Sequence, residues 1–248
     1  MLIGGRAHSL EDIAEIGAMK LPFAEISLID PEQVERDFSH LVEMKNDYQM
    51  FYLAHGPEEG NPWDVSELKK SMLPRISTLS DWAQRLGVSL FTIQFWLDKR
   101  FIQKGIIIKK IDLLKEMADY ATSKGVVLSI ENLSETSKDF GATFEKLPHL
   151  GFTLDIGHGE LLTERNTAYG FIQDFPERIR HVHAHDNRGG NSPVDDLHLP
   201  IGEGIIDYSK ILSRLLEAGY DHTITLEIQP SSLLQGKREI EKRIFRNT

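Results

Sequence analysis

The chain has 248 residues, a formal net charge of −10, 40% hydrophobic residues and no cysteine. Its length suits one large domain, and its apolar fraction suffices for a sizeable core, which argues against disorder. Lack of cysteine excludes a disulfide framework and every thiolate metal site, so a transition metal would have to be held by His, Asp, Glu or water. The acidic balance makes non-specific attraction to nucleic acid or to an anionic membrane unfavourable. No run approaches the roughly 18 apolar residues of a membrane span, and Met1 to Ser9 lacks the apolar stretch of a secretory leader. The expectation is a cytoplasmic protein with a small-molecule partner and no membrane contact, its homo-oligomeric state left open.

In chain order, Leu2–Gly5 reads as a first strand. Ser9–Lys20 has helical periodicity, with Ser9 and Asp12 as a capping box ahead of Ile13, Ile16 and Met19. Phe23–Ile29 is a second strand, and Pro31–Asn46 is a helix opened by proline in its first turn. Met50–His55 is a third strand. Within Val65–Leu86, Pro74 is expected to break the helix into a short piece and a longer one running to Gly87. Val88–Phe95 and Val126–Asn132 flank Ile106–Lys124, a helix with a 3.6-residue apolar stripe. Phe152–Ile156 and His181–Asp186 follow as strands. Tyr208–Ala218 is a helix stopped by Gly219, and Thr223–Ile228 is the last strand. The basic tail Lys237–Arg246 reads as a solvated terminal helix. Regular β/α alternation without a composition shift predicts a parallel sheet. With eight strands in a chain of this length, the fold class is α/β, a single (β/α)8 TIM barrel over residues 1–248.

Side chains alternate across a strand, which sorts the polar residues. In Val126–Glu131 the apolar Val126, Leu128 and Ile130 should face the helices, leaving Ser129 and Glu131 inward. The same parity places Thr223, Thr225 and Glu227 inward on the last strand, Thr153 and Asp155 on the sixth, and His181, His183 and His185 on the seventh. The third strand ends its inner row at His55 and the fourth at Gln94. A lone polar residue at a strand end commonly serves as a cap. Convergence of several carboxylates at the C-terminal face, where barrels of this kind build their sites, would be repulsive unless a cation or shared protons neutralised them.

Glu131, Asp155, His183 and Glu227 offer three carboxylates and one imidazole, a set suited to Mn²⁺, Mg²⁺, Co²⁺ or Zn²⁺. His158, Asp196 and His198 form a second grouping, either a further metal site, substrate hydrogen-bond donors or loop-stabilising contacts. His185 and Asp186 could equally cap the loop after their strand. Gly202 and Gly204 could admit a phosphate to backbone N–H groups, although paired loop glycines more often mark a turn. Trp63, beyond His55, is the better candidate for a sugar-stacking wall, and Trp82 belongs to the core. Gln94 and Arg188 are further candidates for substrate contact. Arg6 and Glu25 should line the pocket floor or join an internal ion pair.

The motifs Ser-Ile-Glu131-Asn, Leu-Asp155-Ile-Gly-His158, Val-His183-Ala-His-Asp186-Asn, Asp196-Leu-His198-Leu-Pro-Ile-Gly-Glu-Gly and Leu-Glu227 together resemble the xylose isomerase-like superfamily. That superfamily includes sugar isomerases, ketose 3-epimerases, inosose and dehydroshikimate dehydratases, and apurinic endonuclease IV enzymes. The resemblance spans nearly the whole chain. It implies that Glu131, Asp155, His183 and Glu227 hold the principal metal, that His158 lies close to the substrate, and that His55 occupies a position where many members place a His. By the endonuclease pattern, His158, Asp196 and His198 would bind a further zinc, but Gln94 stands where that pattern expects a second His for a three-metal cluster. The expected activity is therefore isomerisation or epimerisation of a sugar or sugar phosphate, with Glu131 and Glu227 as proton-transferring carboxylates. Metal-dependent cleavage of abasic DNA and non-catalytic polyol binding are the alternatives.

Overall fold

The computed structural model describes residues 1–246. Eight parallel strands close into a barrel in sequential order: β1 Leu2–Ala7, β2 Phe23–Ser27, β3 Phe51–His55, β4 Leu90–Gln94, β5 Val127–Glu131, β6 Gly151–Asp155, β7 Ile179–Ala184 and β8 Thr223–Leu226. Around it lie α1 Leu10–Ala18, α2 Pro31–Asp47, α3 Val65–Leu86, α4 Lys104–Ser123, α5 Ser137–Lys146, α6 Ala168–Asp174, α7 Tyr208–Glu217 and α8 Leu233–Arg246. The protein is a (β/α)8 TIM barrel, as the alternation of elements requires; the last two residues of the expected 1–248 span lie outside the described residues.

Local signals act as the sequence indicates at several boundaries. The Ser9 side chain accepts from Asp12 N while Asp12 caps back, fixing the start of α1. Pro31 sits in the first turn of α2, and Gly219, with φ of 79°, turns the chain after α7. Other expectations need correction. α3 runs unbroken through Pro74, because the proline is on the exposed side while Leu68, Met72, Ile76, Leu79, Ala83 and Leu86 bury a continuous stripe. Packing of that stripe outweighs the roughly 3 kcal/mol penalty of an internal proline. The basic tail does form a terminal helix, as expected, within α8, which adds a buried side of Leu233 and Ile240. Trp82 is half-buried in the helical layer, its ring tilted against Phe38 and lying beneath Arg85.

Inside the barrel the strand parity gives an apolar bottom and a polar top. Phe23, Leu53 and Leu90 cluster at the N-terminal end, with Phe51 packed against them. Above them Thr153 Oγ1 lies 2.9 Å from Thr92 Oγ1 and 2.7 Å from Ser129 Oγ, so these interior hydroxyls satisfy one another. The outward set, including Ile26, Ala54, Phe91, Leu128, Ile130, Leu154, Val182 and Ile224, is buried beneath the helices. This division leaves the inner row's last residues to converge at the C-terminal mouth.

Candidate metal centre

Glu131 closes β5, Asp155 closes β6, His183 lies in β7, and Glu227 follows β8 by one residue. Ligand atoms of these four residues all lie within 4.8 Å of one another. His183 is the hub: its Nδ1 is 2.7 Å from Glu131 Oε1, 3.5 Å from Glu227 Oε1 and 3.7 Å from Asp155 Oδ2. Its Nε2 points the other way, 2.9 and 3.0 Å from the two oxygens of Glu25. Arg6 Nε approaches Glu227 Oε1 at 3.5 Å, and Arg6 also donates to the Glu25 backbone carbonyl. The internal ion pair expected of Arg6 therefore forms with Glu227, while Glu25 joins the histidines.

Burial opposes ionisation of Glu131, yet the charge of His183 and the hydrogen bonds from His183 and His55 hold its carboxyl well below the usual range. Glu227 is likewise lowered against burial, chiefly by His183. Burial lowers His183, but the charges of Glu227, Glu25 and Glu131 and the hydrogen bond to Glu131 push it well above an ordinary imidazole. Asp155 Oδ2 is buried without a hydrogen-bond partner. Three carboxylates, one of them with an unpartnered oxygen, around an imidazole nitrogen form a donor set that fits a divalent ion of hard or borderline character. Such an ion would replace the proton on His183 Nδ1 as the charge that holds the carboxylates together.

A second cluster lies beside it. His158, His185, Asp196 and His198 also bring ligand atoms within 4.8 Å of one another. Asp196 Oδ2 accepts from His158 Nε2 and His198 Nε2, each at 3.1 Å. Against burial, hydrogen bonds from those two residues hold Asp196 well below the carboxylate range. Burial lowers His198, but its hydrogen bond to Asp196 and the Glu227 charge push it up to about 9. His185, stacked on His198 with centroids 3.9 Å apart, is buried with neither ring nitrogen hydrogen-bonded, its Nε2 3.2 Å from Asp155 Oδ1. Strand parity places His185 inward with His181 and His183, and it joins this cluster rather than capping the loop. Asp186 does organise the loop: it accepts from the backbone N–H groups of Asn187, Gly202 and Ile206. The N–H of Gly202 is thus occupied, and a Cβ at Gly204 would strike Asp186. This glycine pair serves a turn and not a phosphate.

Both clusters open on a cavity of about 700 Å³ whose lining includes Arg6, His55, Gln94, Trp96, His158, Asp196, His198 and Glu227. His55 Nε2 is 3.3 Å from Glu131 Oε2, and Gln94 stands beside Glu131 in the β4–β5 register. Two expected contact residues do not line it. Arg188 is exposed in the loop after β7. Trp63 is 55% exposed and packs edge-on against Trp96, which takes the wall position instead. Alternation beyond Gln94 turns Trp96 to the same side, so parity carried that signal. His8, in the loop after β1, also lines the cavity and was missed.

Known proteins share this architecture. The chain is 27% identical over 238 residues to the uncharacterized protein MJ1311 of Methanocaldococcus jannaschii, covering 88% of this chain and 78% of that protein. A crystal structure of a D-tagatose 3-epimerase-like protein superposes with a TM-score of 0.85 at 23% identity, covering 100% of this chain and 98% of the other. An IolI protein solved with a bound zinc atom gives 0.81 at 17% identity, covering 100% and 99%. The family model described as Xylose isomerase-like TIM barrel matches residues 10–244, and the protein belongs to that family.

Proposed function

We propose that the protein is a divalent-metal-dependent isomerase or epimerase of a small polyhydroxy carbonyl compound, a sugar or sugar phosphate. One observation carries the reading: buried Glu131, Asp155, His183 and Glu227 converge beside a cavity sized for a small molecule, with Glu227 in its lining. The structural neighbour described as D-tagatose 3-epimerase-like and the zinc in the IolI protein support the same class and the same need for an ion. A bound ion would polarise a carbonyl and its neighbouring hydroxyl, lowering the cost of deprotonating the carbon between them.

The chain's own residues supply the rest. Glu131 from β5 and Glu227 beyond β8 approach the centre from nonadjacent sides, and both carboxyls are held ionised, the state required of a base. One carboxylate takes the proton from one face of the carbon; the other must first gain a proton from water in the cavity, and then returns it to the opposite face. His55 orients Glu131, and Arg6 orients Glu227. His158, on the cavity wall, is fixed by Asn132 and Asp196, and a substrate hydroxyl would take its Nε2 N–H only by displacing Asp196. Ile29, Trp96, Leu133, Leu161 and Leu162 supply the apolar part of the cavity lining.

Phosphodiester cleavage of abasic DNA is the second reading, favoured by the cluster of His158, His185, Asp196 and His198 as a further divalent site. The cavity argues against it, because Arg6 is the one Lys or Arg in its described lining and is already paired with Glu227. The deciding experiment is metal analysis of the purified protein together with a panel of ketoses, sugar phosphates and abasic DNA. Bound divalent metal with solvent-deuterium incorporation into one ketose is the expected result. A metal-loaded protein that exchanges no sugar proton while incising abasic DNA would overturn the proposal.

A further inference from the structure

Glu25 lies in the middle of β2, fully buried, and its carboxylate does not reach the cavity. Its two oxygens face His183 Nε2 at 2.9 and 3.0 Å, and one of them is 3.3 Å from His181 Nε2. His181 is itself fixed by hydroxyls, Thr223 Oγ1 at 2.7 Å from Nδ1 and Thr225 Oγ1 at 2.9 Å from Nε2. The backbone of Glu25 is held by the β1–β2 pairing and by Arg6, which donates to its carbonyl oxygen. The His183 ring is thus sandwiched along its own axis, with one carboxylate below at Nε2 and three carboxylates above at Nδ1.

We infer that Glu25 is a positioning residue, which keeps a proton on His183 Nε2 and thereby reserves Nδ1 for the ion of the proposed centre. The inference rests on the metal-site reading above. Both ring nitrogens face carboxylate oxygens and so donate to them, Nδ1 to Glu131 and Nε2 to Glu25, and an ion among the upper carboxylates displaces the proton on Nδ1 while the one held by Glu25 stays. An imidazole that loses one proton to a metal keeps the other, and a buried acceptor decides which nitrogen retains it. The Glu25 interaction also fixes the ring plane, because Nε2 cannot leave it without stranding a buried carboxylate. Glu25 is no ligand to the same ion, since the imidazole ring lies between it and Glu131, Asp155 and Glu227.

The test compares wild type with Glu25→Gln, which preserves volume and removes the charge. In ¹⁵N-histidine-labelled, metal-free wild type, a slowly exchanging, strongly downfield imidazole N–H is expected on His183 Nε2. In Glu25→Gln that signal moves upfield or disappears. Calorimetric titration with Mn²⁺ alone should show affinity weakened about 10–100-fold in Glu25→Gln, the usual cost of losing the partner of a metal-binding imidazole, with far-UV circular dichroism unchanged. The wild-type N–H signal is measurable even if the variant does not fold, and its absence would overturn the inference. Equal Mn²⁺ affinity in a folded Glu25→Gln, with wild type binding well, would overturn the inference and leave the metal site standing. Failure of the wild type to bind Mn²⁺, Zn²⁺ or Co²⁺ would overturn both.

Discussion

Lys110 of α4, fully buried, forms an ion pair with the largely buried Glu59 in the loop after β3, and the two side chains clamp the backbone of Trp96 between them. Lys110 Nζ donates to the Trp96 carbonyl oxygen at 2.6 Å, and the Trp96 N–H donates to Glu59 Oε2 at 2.9 Å. Burial pushes Glu59 up and Lys110 down, and each group's charge works against the shift of the other. The pair therefore sets the position of the cavity wall from outside the cavity. Removing one partner strands a buried charge, so Lys110→Met should cost about 3–5 kcal/mol of stability. Lys110→Met combined with Glu59→Gln should recover part of that loss. Urea denaturation of both variants checks it; a single variant as stable as the parent would show that the pair holds nothing in place.

The closure of the barrel between β1 and β2 depends on the absence of a side chain at Gly4. A Cβ there would sit 2.5 Å from the Phe23 carbonyl oxygen and 2.6 Å from its ring, and Phe23 is part of the apolar plug beneath the site. Neither backbone nor plug can yield cheaply, so Gly4→Ala should destabilise by about 1–3 kcal/mol or more. Gly105, exposed in the first turn of α4 with no atom within 4 Å of its notional Cβ, is the control. Gly105→Ala should stay within about 0.5 kcal/mol of the parent. Thermal melts of the two variants, run side by side, distinguish overpacking from a general intolerance of alanine.

Strand parity explains why so much of this site was legible in the sequence. A β-strand commits each residue to one face, so Ser129 and Glu131, Thr153 and Asp155, and His183 were assigned inward without knowledge of any neighbour. Convergence of their ends then follows from closing a parallel barrel. Loops offer no such rule. Trp63 and Arg188 were chosen for their chemistry, but the chain's path after β3 and β7 turns them outward. Pro74 misled for a different reason: a local penalty was weighed without the tertiary stripe from Leu68 to Leu86 that outweighs it. Glu25 was read as inward, but its partners His181 and His183 lie more than 150 residues away in sequence, and no local pattern announces such a pairing.

Glu131 and Glu227 are proposed to act both as ligands and as proton carriers, and the two roles can be separated. Glu131→Gln and Glu227→Gln keep an oxygen donor while removing the base, so each variant should lose turnover by about 10²-fold or more even where some metal is retained. Metal content by elemental analysis, measured beside deuterium incorporation, gives the split. Full activity in either variant would refute its role as a base. Activity lost only in proportion to metal would reduce that residue to ligation.

The last prediction concerns Gln94 and separates the two reaction classes. Gln94 ends β4 and pairs in register with Glu131, next to His55, whose Nε2 contacts Glu131 Oε2 at 3.3 Å. A third metal bridging His55 and Glu131 would need a strong ligand from β4, and a neutral amide oxygen binds zinc more weakly than an imidazole. That position should be underoccupied in the wild type and better filled in Gln94→His. Charge adds a second obstacle, because duplex DNA binding depends on Lys and Arg neutralising phosphates, and the chain carries a net −10. A neutral sugar meets neither obstacle. The assay sets abasic-site incision in excess Zn²⁺ and Mn²⁺ beside proton exchange of ketoses in D₂O, for wild type and Gln94→His. The expected wild type exchanges a sugar proton and does not incise efficiently, and Gln94→His binds more zinc without gaining the basic surface that DNA needs. Efficient incision by the wild type with no sugar exchange would reverse the assignment.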